Sequence, residues 1–159
     1  MLEKPSRSQQ QNYSRITPKI CFLSKKSCIF LSHVTENKQV AIAIGEYIKN
    51  AGLDIYLDIY DSELQRAVSS GDDKAITQCI ENGINASTDI LCIVSETTKR
   101  SWWVPFEIGY GKRAEKSVST LLLKDVIGIP SYLAITNLIQ GTKKLNQYSL
   151  SLHKRETTL

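Results

Sequence analysis

No apolar run in the chain approaches the roughly 18 uninterrupted residues that a membrane span needs. The N-terminus carries basic residues but no apolar stretch followed by small residues, so it does not read as a secretory signal. The four cysteines (Cys21, Cys28, Cys79 and Cys92) lack C-x-x-C spacing, and the two histidines, His33 and His153, lie far apart. That pattern gives no zinc site, and it reads as buried reduced thiols in a cytosolic, cytoplasmic protein. Glycine-rich phosphate loops are missing too, because Leu31-Ser32-His33-Val34 follows the first apolar run without a glycine. Walker A and Rossmann dinucleotide fingerprints are therefore excluded.

Charge is also short where a nucleic-acid surface would need it. Residues 1–27 carry six Lys/Arg against one Glu, and residues 143–159 carry four against one. The stretch 28–142 holds ten against fourteen, so the net +4 resides in the tails. Those tails lack interleaved aromatics and read as solvated ends, so nucleic acid is not an expected partner, nor is a membrane. The expected organisation is a disordered basic lead-in over residues 1–25, a folded domain over 26–152 and a tail over 153–159.

What the sequence does contain is alternation between short apolar runs and helical periodicity. Cys28-Ile29-Phe30-Leu31 has the look of a strand buried on both faces. Val40, Ile44, Tyr47, Ile48 and Ala51 recur at helical spacing, and Gly52 is a stop signal. Residues 53–58 alternate like a second strand, and residues 59–72 read as a long polar loop. A helix capped by Asp72 or Asp73 follows, ending near Asn82-Gly83, and Asp89–Ser95 is a third buried strand. Residues 118–123 give a fourth strand, residues 129–133 a short fifth element, and residues 138–152 a weak helix. Strands separated by helices imply a three-layer α/β domain around a central parallel sheet of about five strands. Ligands in such sheets bind beyond the C-terminal strand ends, the rim that carries Ser32, His33, Asp58 and Ser95.

Both tryptophans of the chain stand in Ser101-Trp102-Trp103-Val104-Pro105-Phe106-Glu107. Pro105 suits the first turn of a helix, which sets Glu107 near a helix N-terminus, where the ionised form is favoured. Trp103 and Glu107 are four apart and share a helix face, so an indole and a carboxylate flank one spot. Such a pair can hold a planar ring and stabilise a developing cation. The alternative is a capping glutamate beside two core tryptophans.

Together these residues resemble the Toll/interleukin-1 receptor (TIR) domain family, over about residues 26–135. Ile29–His33 is similar to its first box, and Leu57-Asp58 with the following loop resembles its second strand and BB loop. Asp89–Ser95 with Trp103-x-x-x-Glu107 resembles the third strand and catalytic helix of the NAD-cleaving members. The Trp-Val-Pro-Phe-Glu-Ile-Gly string looks most like bacterial TIR proteins, including signal-making subunits of Thoeris anti-phage systems. The chain departs from the family at Ser27-Cys28, where an acidic residue is common, and in a BB loop without proline.

The resemblance implies a flavodoxin-like (TIR) fold and a hydrolase or cyclase that breaks the nicotinamide–ribose bond of NAD+. The products would be nicotinamide and either ADP-ribose or a cyclic isomer that acts as a signal in antiviral defence. It implies Glu107 as the catalytic residue facing an oxocarbenium-like transition state. Trp103 would stack near the ribose and nicotinamide, and Ser32, His33, Thr35 and Asp58 would contact substrate. His33 could equally be a structural hydrogen-bonder, Asp58 a loop cap and Thr35 an N-cap. NAD+ would be the substrate, with no cofactor and no metal. Expected partners are further copies of the chain through the 59–72 loop and a separate effector protein reading the product. Two other readings stay open, a non-catalytic TIR adaptor and a nucleoside 2-deoxyribosyltransferase-like enzyme.

Overall fold

The computed structural model describes residues 26–158. The lead-in expected over residues 1–25 lies outside the described residues. Five parallel strands form one sheet in the order β2-β1-β3-β4-β5: β1 Cys28–Ser32, β2 Asp54–Tyr56, β3 Asp89–Val94, β4 Ser117–Leu122 and β5 Asn137–Gln140. The α-helices between them are α1 Lys38–Asn50, α2 Ser62–Ser70, α3 Asp73–Ala86, α4 Trp103–Arg113, α5 Ser131–Ala134 and α6 Gly141–Thr157.

Both faces of the sheet are covered, which is why its central strands read as unbroken apolar runs. Cys28 and Phe30 point to one face with Ile90, Cys92 and Val94, where α2 to α5 pack through Leu64, Ile80, Ile84, Val104, Ile108 and Leu133. Ile29, Leu31, Leu91 and Ile93 point to the other, covered by α1 and α6. Each such side chain, fully buried, contributes roughly 1.5–3 kcal/mol of hydrophobic stabilisation. Gly111 lets α4 lie close on the sheet, since a Cβ there would meet Ile90 Cδ1 at 2.0 Å. Its neighbour Gly109 faces open space, so only one glycine of the Gly-x-Gly pair serves packing.

Four expectations need correction. Residues 59–72 are not a loop: a 3-10 turn, Asp58–Tyr60, leads into α2. Asp61 caps this helix by accepting from the N–H groups of Glu63 and Leu64, and Gly71 ends it at φ 67°. Leu64, Ala67 and Val68 stand at helical spacing, a short stripe that the polar residues around it concealed. Leu64 is core, 3% exposed, so it is no part of a docking surface. The fifth strand is Asn137–Gln140, whereas the stretch after Pro130 is the short helix α5, because proline supplies no N–H to a ladder.

The third correction is at the end of the chain. Residues 153–157 continue α6 rather than forming a tail, tied down by Arg155, whose guanidinium bonds Asp89 at 2.5 and 3.1 Å. The fourth concerns sulfur. Cys79 and Cys92 are free thiols, but Cys28 is disulfide-bonded, a pairing that spacing alone cannot reveal.

Candidate active site

Parallel strands carry Ser32, Asp58 and Ser95 to one rim of the sheet, and α4 starts from the same side. Alternation along β1 turns Ser32 toward the face where α4 packs through Val104 and Ile108. There the Ser32 hydroxyl donates to Glu107 Oε2 at 2.5 Å, and the glutamate is 7% exposed. Glu107 is no helix cap: its carboxyl engages a strand residue across the core. Burial pushes its pKa up to about 8, the Ser32 hydrogen bond opposes the shift, and the negative charge of Asp58 adds to it. The favourable end of the helix therefore does not keep this acid ionised, because desolvation outweighs the dipole.

Cys92 stands beside Ser32 in the β1–β3 register and is fully buried behind it. Its thiol is pushed up to about 12, first by burial and then by Glu107, with the Ser32 hydroxyl opposing. The thiol is thus a neutral filler at neutral pH.

The two tryptophans separate as adjacent helix residues must, roughly 100° apart. Trp102 is 92% exposed and Trp103 41% exposed, so neither is a core residue. Trp103 packs edge-on against Phe106, ring centroids 5.8 Å apart, and lies one helical turn before Glu107.

His33 and Asp58 come together, though not as a tight bond. His33 Nδ1 lies 3.2 Å from the Leu31 carbonyl, which can only accept, so that nitrogen carries the hydrogen. Nε2 faces Asp58 Oδ1 at 3.7 Å. Burial raises the Asp58 pKa, His33 and the Ile59 N–H oppose this, Asp61 adds to it, and Lys38 opposes it. Thr35 opens a 3-10 turn, Thr35–Asn37, on the exposed surface and caps nothing with its side chain. Its neighbour Asn37 instead donates to Ser95 Oγ at 2.6 Å, joining the ends of β1 and β3.

Sequence reasoning overlooked the residues that hold this rim in shape. Tyr56 donates to Asp61 Oδ2 at 2.7 Å, so one buried tyrosine anchors both the α2 cap and the turn bearing Asp58. Gly83 makes room for that ring, since a Cβ would meet Tyr56 Cε1 at 2.5 Å. The capping pattern of Asp61 before Ser-Glu-Leu was the available signal.

The family model described as TIR domain matches residues 29–154. This chain belongs to the TIR domain family. Among curated proteins, it is 26% identical over 128 residues to a Bacillus cereus (strain MSX-D12) protein named "Probable 3' cyclic ADP-D-ribose synthase ThsB'". That alignment covers 73% of this chain but only 65% of the relative, so the chain spans just under two thirds of that protein's length. Among solved structures, the TIR domain of the Toll-related receptor TRR-2 from Hydra magnipapillata superposes with TM-score 0.62 at 12% identity, covering 82% of this chain and 98% of that one. The SEFIR domain of interleukin-17 receptor B superposes with TM-score 0.60 at 10% identity, covering 84% and 99%. Those two likenesses concern the fold alone.

In this TIR domain no group of three or more His, Cys, Asp or Glu side chains is placed to hold a metal ion, among the described residues. No helix among them is long and apolar enough to cross a membrane. A concavity of about 420 Å³ lies away from the site, between α1 and α6, lined by Val40, Ala43, Ile44, Tyr47 and Leu145 among others. Glu107 itself is enclosed, 7% exposed.

Proposed function

We propose that this TIR domain cleaves the nicotinamide–ribose bond of NAD+, with Glu107 as the group facing the developing oxocarbenium charge. The observation that carries the reading is the buried carboxyl of Glu107, bonded to Ser32 at the C-terminal rim of the sheet and one helical turn after a half-exposed Trp103. A pyridinium is already a good leaving group, so the chemistry asks mainly for an anion beneath the sugar and an aromatic wall. Ser32 holds the acid, Trp103 supplies the wall, and no cofactor is required beyond NAD+ as substrate.

The similarity to a protein named as a cyclic ADP-ribose synthase favours cyclisation over simple hydrolysis. A cyclic product implies a separate effector protein that reads it, and anti-phage defence is the setting this favours. Self-association through the surface of 59–72 is part of the same proposal and rests on exposed Arg66 and Val68. Specific activity that rises with protein concentration is its readout.

The enclosure of Glu107 favours a second reading, a non-catalytic TIR adaptor. Incubation of the purified protein with NAD+, followed by chromatography and mass spectrometry, separates the two. Nicotinamide together with a cyclic or linear ADP-ribose product, lost in Glu107→Gln, supports the enzyme. Unchanged NAD+ at all protein concentrations supports the adaptor.

A further inference from the structure

Consecutive residues at the end of β1 each address one carboxyl group. Ser32 bonds Glu107, and His33 faces Asp58. The Asp58 side chain keeps 39% of its surface exposed, yet its Oδ1 is buried with no hydrogen-bond partner. The exposed surface therefore lies toward Oδ2, with His33, only 3% exposed at its side chain, behind the other oxygen. The His33 ring is fixed from behind by the Leu31 carbonyl at Nδ1, 3.2 Å away, and presents Nε2 to Asp58 Oδ1 across 3.7 Å. The other charged groups felt at Asp58 are Asp61 and Lys38, while Asp58 is itself felt at Glu107 and Tyr56.

We propose that Asp58, backed by His33, accepts the proton of the hydroxyl that attacks the ribose carbon after nicotinamide departs. The inference rests on the NAD+-cleaving reading and divides its labour. Glu107 serves departure, and Asp58 serves capture. In the balanced step the C–N bond breaks with its electron pair on the nicotinamide nitrogen. The acceptor oxygen, from water or a hydroxyl of the same nucleotide, bonds the ribose carbon. Its proton passes to Asp58 Oδ2 and from there to solvent, and nothing is oxidised or reduced. His33 is a positioning residue, acting only through Asp58.

Labelled nicotinamide tests this, because it attacks through a ring-nitrogen lone pair and has no proton to lose. Exchange of label into NAD+ thus needs Glu107 but no proton acceptor, whereas product formation needs both. Wild type, Asp58→Asn, His33→Gln and Glu107→Gln are incubated with NAD+ and labelled nicotinamide, and the ratio of product to exchange is measured. Asp58→Asn is expected to lower that ratio about a hundredfold, the scale of losing a general base. His33→Gln should lower it about tenfold, less than the loss of the base itself, and keeps the test open if Asp58→Asn does not fold. Glu107→Gln should depress both rates with no selective loss of product. Equal loss of exchange and product in Asp58→Asn, or in His33→Gln, overturns the assignment and leaves only a structural role. If wild type shows neither exchange nor product, the NAD+-cleaving reading itself fails, and this inference with it.

Discussion

Three carboxyl groups are buried among the described residues, Asp61, Asp89 and Glu107, and the last two, at opposite rims of one sheet, are treated in opposite ways. Asp89, 1% exposed at the start of β3, receives two bonds from Arg155 and one from Thr88 at 2.6 Å. Glu107, 7% exposed at the other rim, has no cation and a single hydroxyl donor. A buried carboxylate is tolerated when its charge is matched, and otherwise it takes up a proton. The first arrangement ties the C-terminal helix to the sheet. The second leaves an acid whose burial pushes its pKa up to about 8. A fold stabilises itself with groups of the first kind and does chemistry with groups of the second.

Exchanging the acid for its amide probes that contrast most strongly. Glu107→Gln should cut nicotinamide release more than about a hundredfold, the scale of one key electrostatic group. Its fold should survive, because the amide keeps the shape without a charge to desolvate. Rates within threefold of wild type in the same assay would return Glu107 to a purely structural role. The same variant reads the protonation state. The Glu107 pKa is raised from 4.5 to about 8 in the folded protein, so its contribution to stability is full below 4.5 and is lost as pH rises through about 8. Denaturant melts should therefore show wild type losing stability relative to Glu107→Gln across that window, and turnover should rise through it as the anion forms. A pH-independent difference between the two would mean the acid is already ionised at the low end.

The matched carboxylate should behave differently. Arg155→Met removes the cation facing Asp89, and the expected loss is about 2 kcal/mol, below the figure for a fully enclosed pair because Arg155 is half exposed. Nicotinamide release at a temperature below the melt should be unchanged. A collapse of activity without loss of stability would break the division between the two rims.

The tryptophans give the smallest effects. Trp103→Ala should lower turnover about tenfold, a modest share of transition-state binding. Trp102→Ala, at a side chain 92% exposed, should shift stability by no more than about 0.5 kcal/mol. Thermal melts beside NAD+ turnover check both, and the reverse pattern would move the substrate wall to Trp102.

Much of the framework was legible because local pattern and burial agree. The unbroken apolar runs of β1 and β3, the α1 stripe and the capping signals of α3 each satisfy one period. The stretch 59–72 was read as a loop because most of its residues are polar, although Leu64, Ala67 and Val68 stand at helical spacing and Asp61 and Gly71 marked both ends. Residues 153–157 read as a tail because what fastens them is Asp89, 66 positions away from Arg155. Thr35, a substrate contact that only the family resemblance implied, stands on an exposed 3-10 turn just after β1.

By itself the sequence determined the layered α/β order, the rim on which polar residues gather, and the pairing of Trp103 with Glu107 on one face. These follow from periodicity and strand direction, which are local properties. The protonation of Glu107, the confrontation of His33 with Asp58, and the anchoring of the Asp58 turn by Tyr56 and Asp61 were decided only in three dimensions. Each depends on how far water is excluded and on which distant group fills the space, and neither is written in the spacing of residues along a chain.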